Sequence, residues 1–509
     1  MRSQFDIKTI SQMKNKKYIP FFLLATVMTS YSCRRDLPVI DIGVSGYPND
    51  VGKIILTKCA TQGCHNDASK EAVGGLSMSS WDKLFEGGRG GSVVIPFRYD
   101  FSTLFFFTNT YSDLGVVASP RMPYSSDGSR SALTREEILI LKDWINAGAP
   151  KRNGMAKFSD DPFRKKIYCT NQGCDVVTVF DEQTSLPMRY INVGNSANIE
   201  SPHRINVSPD GQYWYVVFIA GNSIQKYRTS DDSYVGEINI GFGNWNNFVI
   251  TSDSKKAFVI DWDAQGKIYY LDLEDLSKPP VKYQGANLFT FPHGGALNNA
   301  STMLYITAQI GNFIYKLDVT NPLSPNGPDQ IVLQTGESAN TFSKYDPHEV
   351  AFSPDETKYF VTCQKSNEVR VFQSSNDSLL AVIPVGIYPQ EMTFSLSTPY
   401  LFVTCMEDSV AFPFPNTRGC VSVINYQTNS FVKNVNVGFQ PHGIVVDDLK
   451  KEVYVANRNR TQDGPAPHHT TGCGGRDGFI TFIDMQTLDL IPNKKYELSV
   501  DPYSIAIRK

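Results

Sequence analysis

The stretch "DPHEVAFSPDE", residues 346–356, is one copy of a phrase that recurs through the C-terminal two thirds of the chain. In its fullest form the phrase reads P-H-x-I-x-V-S-P-D-G, and an aromatic-rich strand follows it. Its seven copies begin at residues 201, 244, 291, 346, 388, 440 and 501. The starts lie about 40 to 60 residues apart, which is enough for a four-stranded antiparallel sheet. Each copy therefore predicts the innermost strand of one such sheet.

Seven inner strands predict a seven-bladed β-propeller over residues 160–509. The seventh copy lies at the C-terminus, while "KKIYCTNQGCDVVTVFD" at 165–181 opens the region without an inner strand, so the two ends should complete one blade together. The strands "YCTN", "FVTC" and "YVAN" resemble the repeat of YVTN-type propellers, a group of exported bacterial proteins. This resemblance covers the whole propeller region and implies a fold rather than a chemistry.

The phrase also places one side chain of each copy at the start of an inner strand, where the chain enters the central channel. These positions are His203, Asn246, His293, His348, Gln390, His442 and Tyr503. Four of the seven histidines of the chain therefore converge on one mouth of the channel. His468 and His469 lie with Cys473 in a long insertion of the last blade, which should emerge on the same face.

Two interpretations of this histidine ring stay open. Neutral imidazole is the commonest metal ligand and suits copper, zinc, nickel or iron. The ring is similar, at the level of fold alone, to the copper cluster on the propeller axis of nitrous-oxide reductase, which implies a transition metal such as copper. In the other interpretation the imidazoles are structural and donate to carbonyl groups of neighbouring blades around a water-filled channel.

The N-terminal part of the chain contains "KCATQGCHND", residues 58–67, at the end of an amphipathic helical pattern. Covalently bound haem needs two thiols, which form thioethers, and a histidine directly after the second cysteine as a ligand of the iron. Cys59, Cys64 and His65 stand in that order, although four residues separate the cysteines where the common motif has two.

Two later segments complete the pattern. "SPRMPYS" offers Met122 in a proline-flanked loop as a second axial ligand. "LTREEILILKDWINAGAP", at 133–150, predicts a helix with Thr134 as N-cap and Glu137 completing a capping box. The apolar positions on one face of this helix are Ile138, Leu141, Trp144 and Ile145.

These motifs, with "GGLSMSSWDKLFEGG" at 74–88, resemble the small single-haem cytochrome c domains of exported bacterial proteins. The resemblance implies an all-α domain over residues 49–155 with one haem c, attached at Cys59 and Cys64 and ligated by His65 and Met122. The expected fold is thus multidomain, a small all-α cytochrome c domain followed by an all-β seven-bladed propeller.

Two alternatives compete with this site. Cys59 and Cys64 would form a small disulfide beside a solvated His65 if no haem is bound. Met78, in "GLSMSS", is the rival second ligand, although its early position favours packing in the core.

The N-terminus predicts export. Lys14, Lys16 and Lys17 precede the short apolar stretch "YIPFFLLATVMTSYS", so residues 1–33 are typical of a signal peptide, with Met13 as an alternative start. Cys33 follows in a context that resembles the lipobox of bacterial lipoproteins, which implies lipidation and a tether over residues 34–48. Ordinary signal cleavage nearby is the alternative.

The net charge bears on the class of binding partner, and the cysteine content bears on the cellular compartment. A formal net charge of −3 gives no electrostatic reason to expect nucleic acid. Nine cysteines less Cys33, Cys59 and Cys64 leave six, an even number that permits disulfides in an oxidising compartment. Cys405 and Cys420 bracket one hairpin loop and form the pair expected first, and Cys169 with Cys174 is the alternative second pair.

Three hypotheses for the function follow. The first is an electron-transfer protein or oxidoreductase subunit in the cell envelope, lipid-anchored and facing the periplasm or the surface of the outer membrane, with a redox protein as partner. The second is an envelope binding or scaffold module whose propeller recognises a protein or glycan. In the third the N-terminal domain binds no haem. No catalytic residue can be assigned from the sequence.

Overall fold

A computed structural model describes residues 42–508 apart from 126–127, 129, 284–288, 340–342, 408–417, 460–472 and 474–476. The signal peptide, Cys33, His468 and His469 lie outside the described residues. The described helices and strands belong to one compact unit, helical up to Asn146 and all β from Lys166 onward. No described helix is both long enough and apolar enough to cross a bilayer.

The helical region consists of short helices joined by turns. Its α-helices are α1 (Ile42–Ser45), α2 (Asn49–Ile54), α3 (Trp81–Leu84), α4 (Thr103–Thr108) and α5 (Arg135–Asn146). A π-helical turn, Ile55–Cys59, continues α2, and 3₁₀ turns lie at Lys70–Val73, Tyr99–Phe101 and Ser112–Leu114.

The predicted terminal helix is confirmed as α5. The Thr134 hydroxyl accepts from the Glu137 backbone N–H at 3.3 Å, and the Glu137 carboxylate accepts from the Thr134 N–H at 2.8 Å. Both bonds of the capping box are therefore present. The four apolar positions named from the sequence are the buried face of the helix. Lys58 forms a 2.6 Å ion pair with Glu137, which ties the helix start to the cysteine segment.

The β region forms seven four-stranded antiparallel sheets, and the predicted seven-bladed propeller is confirmed. Blade 1 combines β28 (Pro502–Ile507) with β1 (Lys166–Asn171), β2 (Val176–Asp181) and β3 (Pro187–Asn192). Blades 2 to 4 contain β4 (Pro202–Val207), β5 (Tyr213–Phe218), β6 (Ser223–Arg228), β7 (Tyr234–Asn239), β8 (Trp245–Ile250), β9 (Lys256–Asp261), β10 (Ile268–Asp272), β11 (Val281–Tyr283), β12 (Pro292–Leu297), β13 (Met303–Ala308), β14 (Phe313–Asp318) and β15 (Asn326–Val332).

Blades 5 to 7 contain β16 (Pro347–Phe352), β17 (Lys358–Cys363), β18 (Glu368–Gln373), β19 (Leu379–Pro384), β20 (Pro389–Phe394), β21 (Tyr400–Cys405), β22 (Gly419–Asn425), β23 (Ser430–Gly438), β24 (Pro441–Asp447), β25 (Glu452–Asn457), β26 (Phe479–Asp484) and β27 (Asp489–Glu497). Each predicted phrase coincides with the first strand of its sheet. The C-terminal strand β28 pairs with β1, so the two ends close the ring as predicted.

Local chemistry explains why the phrase forms this structure. In six of the seven copies the residue before the proline has a left-handed φ between +44° and +61°, which turns the chain sharply into the inner strand. Proline is tolerated there because it is the first strand residue. At the other end, Ser208, Thr251 and Ser353 each donate a 2.6 Å hydrogen bond to an aspartate two residues on, which closes the turn to the second strand.

Every inner strand carries a β-bulge directly after its first residue. In blade 5, for example, Pro347 is opposite Cys363 but Val350 is opposite Val361, so the inner strand has one residue more than its neighbour. The other six inner strands show an equivalent register shift. A bulge re-aims side chains, and here it lets two successive residues of each copy face the channel.

The helical region packs against the rim of the propeller. The Phe101 ring stacks on Tyr190 of β3 at a centroid distance of 4.3 Å, and the Ser92 hydroxyl donates to the Pro187 carbonyl at 2.6 Å. Gly91 lies against Tyr496 of β27, whose ring atoms would be about 3 Å from a Cβ at that position. The glycine-rich loop of the helical region is therefore seated on the outermost strands of blades 1 and 7.

Candidate functional site

The cysteine segment forms a closed loop at the end of α2. The Ala60 N–H donates to the Ile55 carbonyl at 2.8 Å and so ends the helical turns. The Cys64 N–H donates to Thr61, and the His65 N–H donates back to the Cys59 carbonyl at 3.1 Å. The four-residue spacer therefore folds outward as a turn, and His65 returns to the end of the helix beside Cys59.

One cavity of about 960 Å³ lies next to this loop. Its walls include Cys59, Cys64, His65 and Met122, the four residues that the sequence singled out for haem. Their arrangement depends on α4, because the Met122 N–H donates to the Phe107 carbonyl at 2.7 Å and holds the methionine loop against that helix. The volume is within the range of cofactor pockets, about 300 to 1,000 Å³.

His65 has the properties of a neutral ligand. Burial lowers the pKa of its imidazole below 6.5, while an interaction with the backbone of Leu76 opposes that shift. Its Nδ1 atom is buried and has no hydrogen-bond partner within the described part of the chain. A buried ring nitrogen without a partner is costly unless something else binds the ring.

The two thiols lie in different surroundings. Cys59 is buried, and burial together with the nearby Cys64 raises the pKa of its thiol to about 12. Cys64 is half-buried, and Arg130 donates from Nη1 to its sulfur at 2.9 Å. Neither cysteine forms a disulfide, so the alternative of a Cys59–Cys64 bond is not the structure that the chain adopts.

The rival methionine also contacts the cavity. Met78 is 4% exposed and belongs to the hydrophobic core of the helical region, and its N–H donates to the His65 carbonyl at 2.8 Å. Both Met78 and Met122 therefore line the cavity.

Some of the cavity walls were not anticipated from the sequence. Gly88, Gly90 and Gly91 of the glycine-rich loop line it, as does Glu497, the last residue of β27. The repeated glycines in "EGGRGGS" were visible in the sequence as a loop signal, but nothing local to Glu497 connects it with residues so distant in the chain. The propeller thus supplies part of the wall of a cavity formed mainly by the helical region.

The histidine ring assembles on the propeller axis, where the inner strands begin. His203, His293, His348 and His442 are each at most 9% exposed. The ring centroids are 4.2 Å apart for His203 and Tyr503, 4.0 Å for His293 and His348, 5.7 Å for His348 and His442, and 3.7 Å for His442 and Tyr503. Burial, reinforced by neighbouring charged groups, lowers the pKa of each imidazole, to about 4 for His293, so the four rings are neutral.

Two of the four imidazoles have the polar contacts that the structural interpretation expects, whereas His348 Nδ1 and both ring nitrogens of His442 are buried without a hydrogen-bond partner among the described residues. His293 Nδ1 lies 3.0 Å from the His348 carbonyl of the next blade, and Gln172 Nε2 lies 2.7 Å from His203 Nδ1. Within the described residues no group of three or more His, Cys, Asp or Glu side chains is placed to hold a metal ion. Arg458 covers the ring from outside, 4.5 Å above the Tyr503 ring centroid and 2.6 Å from Asp501.

The disulfide expected from the sequence is not formed. Cys405 and Cys420 are register partners on β21 and β22, but Cys405 is a free thiol. The disulfide instead joins Cys174, in the β1–β2 loop, to Cys473 of the long insertion. Sequence spacing favoured the nearby pair, whereas the ring closure brings the first and last blades together and makes the distant pair adjacent.

Comparison with known proteins supports the propeller fold. No family model and no curated protein match the chain. A functionally unknown protein from Desulfotomaculum acetoxidans DSM 771 matches with a TM-score of 0.50 and 13% identity, over 67% of this chain and 98% of that chain. At such identity the likeness shows the fold alone.

Two further solved structures match at lower scores. Kuenenia stuttgartiensis hydrazine synthase has a TM-score of 0.45 and 15% identity, over 62% of this chain and 91% of its own. Dihydro-heme d1 dehydrogenase NirN in complex with DHE has a TM-score of 0.42 and 14% identity, over 82% of this chain and 94% of its own. Neither similarity is strong enough to carry an argument about this chain.

Proposed function

We propose that the helical region is a c-type cytochrome domain that holds one haem in the 960 Å³ cavity and transfers single electrons. The supporting observation is that two thiols, one imidazole and two thioethers, from segments far apart in sequence, line the same cavity. A folding core does not require this combination of side chains, whereas a covalently attached haem does.

The residues present fit that group. Cys59 and Cys64 would attach it, and His65, neutral and with a buried unpartnered nitrogen, would be the proximal ligand. Met122 would be the second axial ligand. When bound, haem c supplies a reversible one-electron couple, and a histidine–methionine ligand pair raises its potential.

Other side chains would set the surroundings of the cofactor. Leu76, Leu104 and Phe107 line the cavity and give it an apolar wall. Arg130 brings a positive charge and Glu497 a carboxylate to the wall, so the charge around the group is contributed by both the helical region and the propeller.

The cellular setting is part of the same proposal. Covalent haem attachment fits an exported protein, and Cys33 would anchor it to the membrane by a lipid. A second redox protein would then exchange electrons with the haem at the cell envelope, on the periplasmic or surface side.

The test is expression of the full chain with a cytochrome c maturation system, followed by absorption spectra and acid extraction of the pigment. We expect a Soret band and a haem that stays with the polypeptide during extraction. The double variant Cys59→Ser/Cys64→Ser should release its haem, and His65→Ala should lose most of it. Absence of a Soret band from the folded wild-type chain would refute the proposal.

The ligand assignment has its own matched pair of variants. Met122→Leu should lower the reduction potential, because a thioether ligand raises it, whereas Met78→Leu should leave the potential unchanged. The two substitutions remove the same group from the same cavity, so a general packing effect would appear in both. If only Met78→Leu lowers the potential, Met78 is the ligand and the assignment of Met122 is wrong.

A further inference from the structure

A second feature of the propeller is a buried charge cluster in the channel, next to the histidine ring. Arg204 Nη1 donates to Glu391 Oε1 at 2.6 Å and lies 3.7 Å from Glu349 Oε2. Each of the three residues follows a ring position in its copy of the phrase, in blades 2, 5 and 6. The bulges at the starts of the inner strands allow both this layer and the histidine layer to face the axis.

The cluster has one guanidinium for two carboxylates. The other titratable groups near it do not change this balance, since the four imidazoles are neutral and Arg458 is paired with Asp501 at 2.6 Å. His442 Nδ1 approaches Glu391 only to 3.8 Å. An excess negative charge inside a protein is costly, so the cluster should take up either a proton or a cation. In accord with this, burial raises the pKa of Glu349 to about 8.

Glu349 also faces open space. It lines a cavity of about 450 Å³ that runs along the channel, although it is itself only 5% exposed. Apart from the backbone of Val350, its carboxylate has no hydrogen-bond partner among the described residues, and its nearest charged neighbour is Arg204. Glu356, in the turn after β16, lines the same cavity and adds a second carboxylate.

We propose that this channel cavity binds the primary ammonium group of a small organic molecule, with Glu349 as its carboxylate partner. The bound ion would continue an alternating series of charges: ammonium, Glu349, Arg204 and Glu391. An anionic ligand would instead meet Glu349 and Glu356 and would have to displace Glu391 from Arg204. A metal ion is disfavoured, because the described residues offer no group of three or more acidic, histidine or cysteine ligands.

The binding test uses isothermal titration calorimetry of the purified full chain with n-butylammonium chloride. We expect saturable binding that is at least about 30-fold weaker in Glu349→Gln, as for removal of one partner of a buried charge pair. Glu71→Gln makes the same change of charge on the exposed surface of the helical region and should bind as the wild type does. Neutral n-butanol and anionic butyrate should not bind measurably.

A second measurement separates cation uptake from simple protonation. If the ammonium ion replaces a proton on Glu349, titrations at pH 7 in buffers of different ionisation enthalpy should show proton release that Glu349→Gln lacks. Failure of n-butylammonium to bind, equal binding to Glu349→Gln, or preferential binding of butyrate would each overturn the proposal. The Soret band provides an independent control, because it should be the same in all these variants.

Discussion

The Cys174–Cys473 disulfide offers the sharpest test of how the propeller ring is closed. It joins the β1–β2 loop of blade 1 to the insertion between β25 and β26 of blade 7, across the seam where the two chain ends meet. The non-covalent contacts of this seam include the β28–β1 pairing, the Arg458–Asp501 ion pair and the hydrogen bond from the Tyr454 hydroxyl to Ser185. Replacing both cysteines with serine removes only the covalent link.

The magnitude follows from the sequence separation of 299 residues. In the chain-entropy relation, a cross-link that closes a loop of this length stabilises the folded state by about 6 kcal/mol at 25 °C through the unfolded chain. Disulfides in natural proteins commonly contribute about 2 to 5 kcal/mol. We therefore expect Cys174→Ser/Cys473→Ser to lose between about 2 and about 6 kcal/mol of unfolding free energy.

The measurement is urea unfolding of the wild type and the double variant, each with and without a thiol reductant. The variant should unfold at lower urea and with a steeper dependence on denaturant, because its unfolded chain is no longer cross-linked. Reductant should bring the wild type to the midpoint of the variant and leave the variant unchanged. Equal midpoints for the two oxidised proteins would show that strand pairing alone closes the ring and that the loop argument is wrong.

Three further predictions concern single residues. Thr134→Ala should cost about 1 kcal/mol of stability through loss of the α5 cap, measured as a shift of the urea midpoint; no shift would mean that the capping box is dispensable. Gly443→Ala should lower the unfolding free energy strongly, because a Cβ there would lie 2.2 Å from a backbone oxygen of the neighbouring blade. Gly90→Ala is its control: a Cβ at that position has open space around it, so this variant should unfold almost as the wild type does. The pKa of Glu349 in the folded protein is raised to about 8, so the stabilisation from its protonated carboxyl is complete below about pH 4.5 and is lost as the pH rises through 8. The unfolding free energy of the wild type relative to Glu349→Gln should therefore shrink from pH 5 to pH 8.5. A difference that grows with pH would contradict this sign.

The order and position of the blades could be predicted because they depend on local patterns. A proline after a left-handed residue, an alternating apolar run and a Ser/Thr-x-Asp turn recur within about ten residues, and each has its own backbone preference. The same holds for α5, whose cap, buried face and end are adjacent in the chain.

The candidate haem-binding residues could also be named from the sequence, since their spacing and flanking motifs are distinctive. The sequence could not predict whether these residues share a cavity, because that depends on how the methionine loop packs on α4. For example, the Met122 N–H must reach the Phe107 carbonyl, and no local preference of either residue specifies that contact.

The expected Cys405–Cys420 disulfide shows the limit of arguments from proximity in sequence. The two residues are neighbours on adjacent strands, as predicted, yet the disulfide forms between Cys174 and Cys473. Ring closure determines that pairing, and closure is a property of all seven sheets together rather than of any one hairpin.

The sequence by itself determined the number of blades, the start of each inner strand and the residue types that converge on the axis, because repeats and periodicity are local. Only the tertiary structure decided what those residues contact. The bulges turn the position after each histidine into the channel, so Arg204 meets Glu391 from the opposite side of the ring. In the helical region, the cysteine loop faces a cavity that Glu497 of the propeller helps to line. Such contacts join parts of the chain whose separation in sequence carries no information about their distance in space.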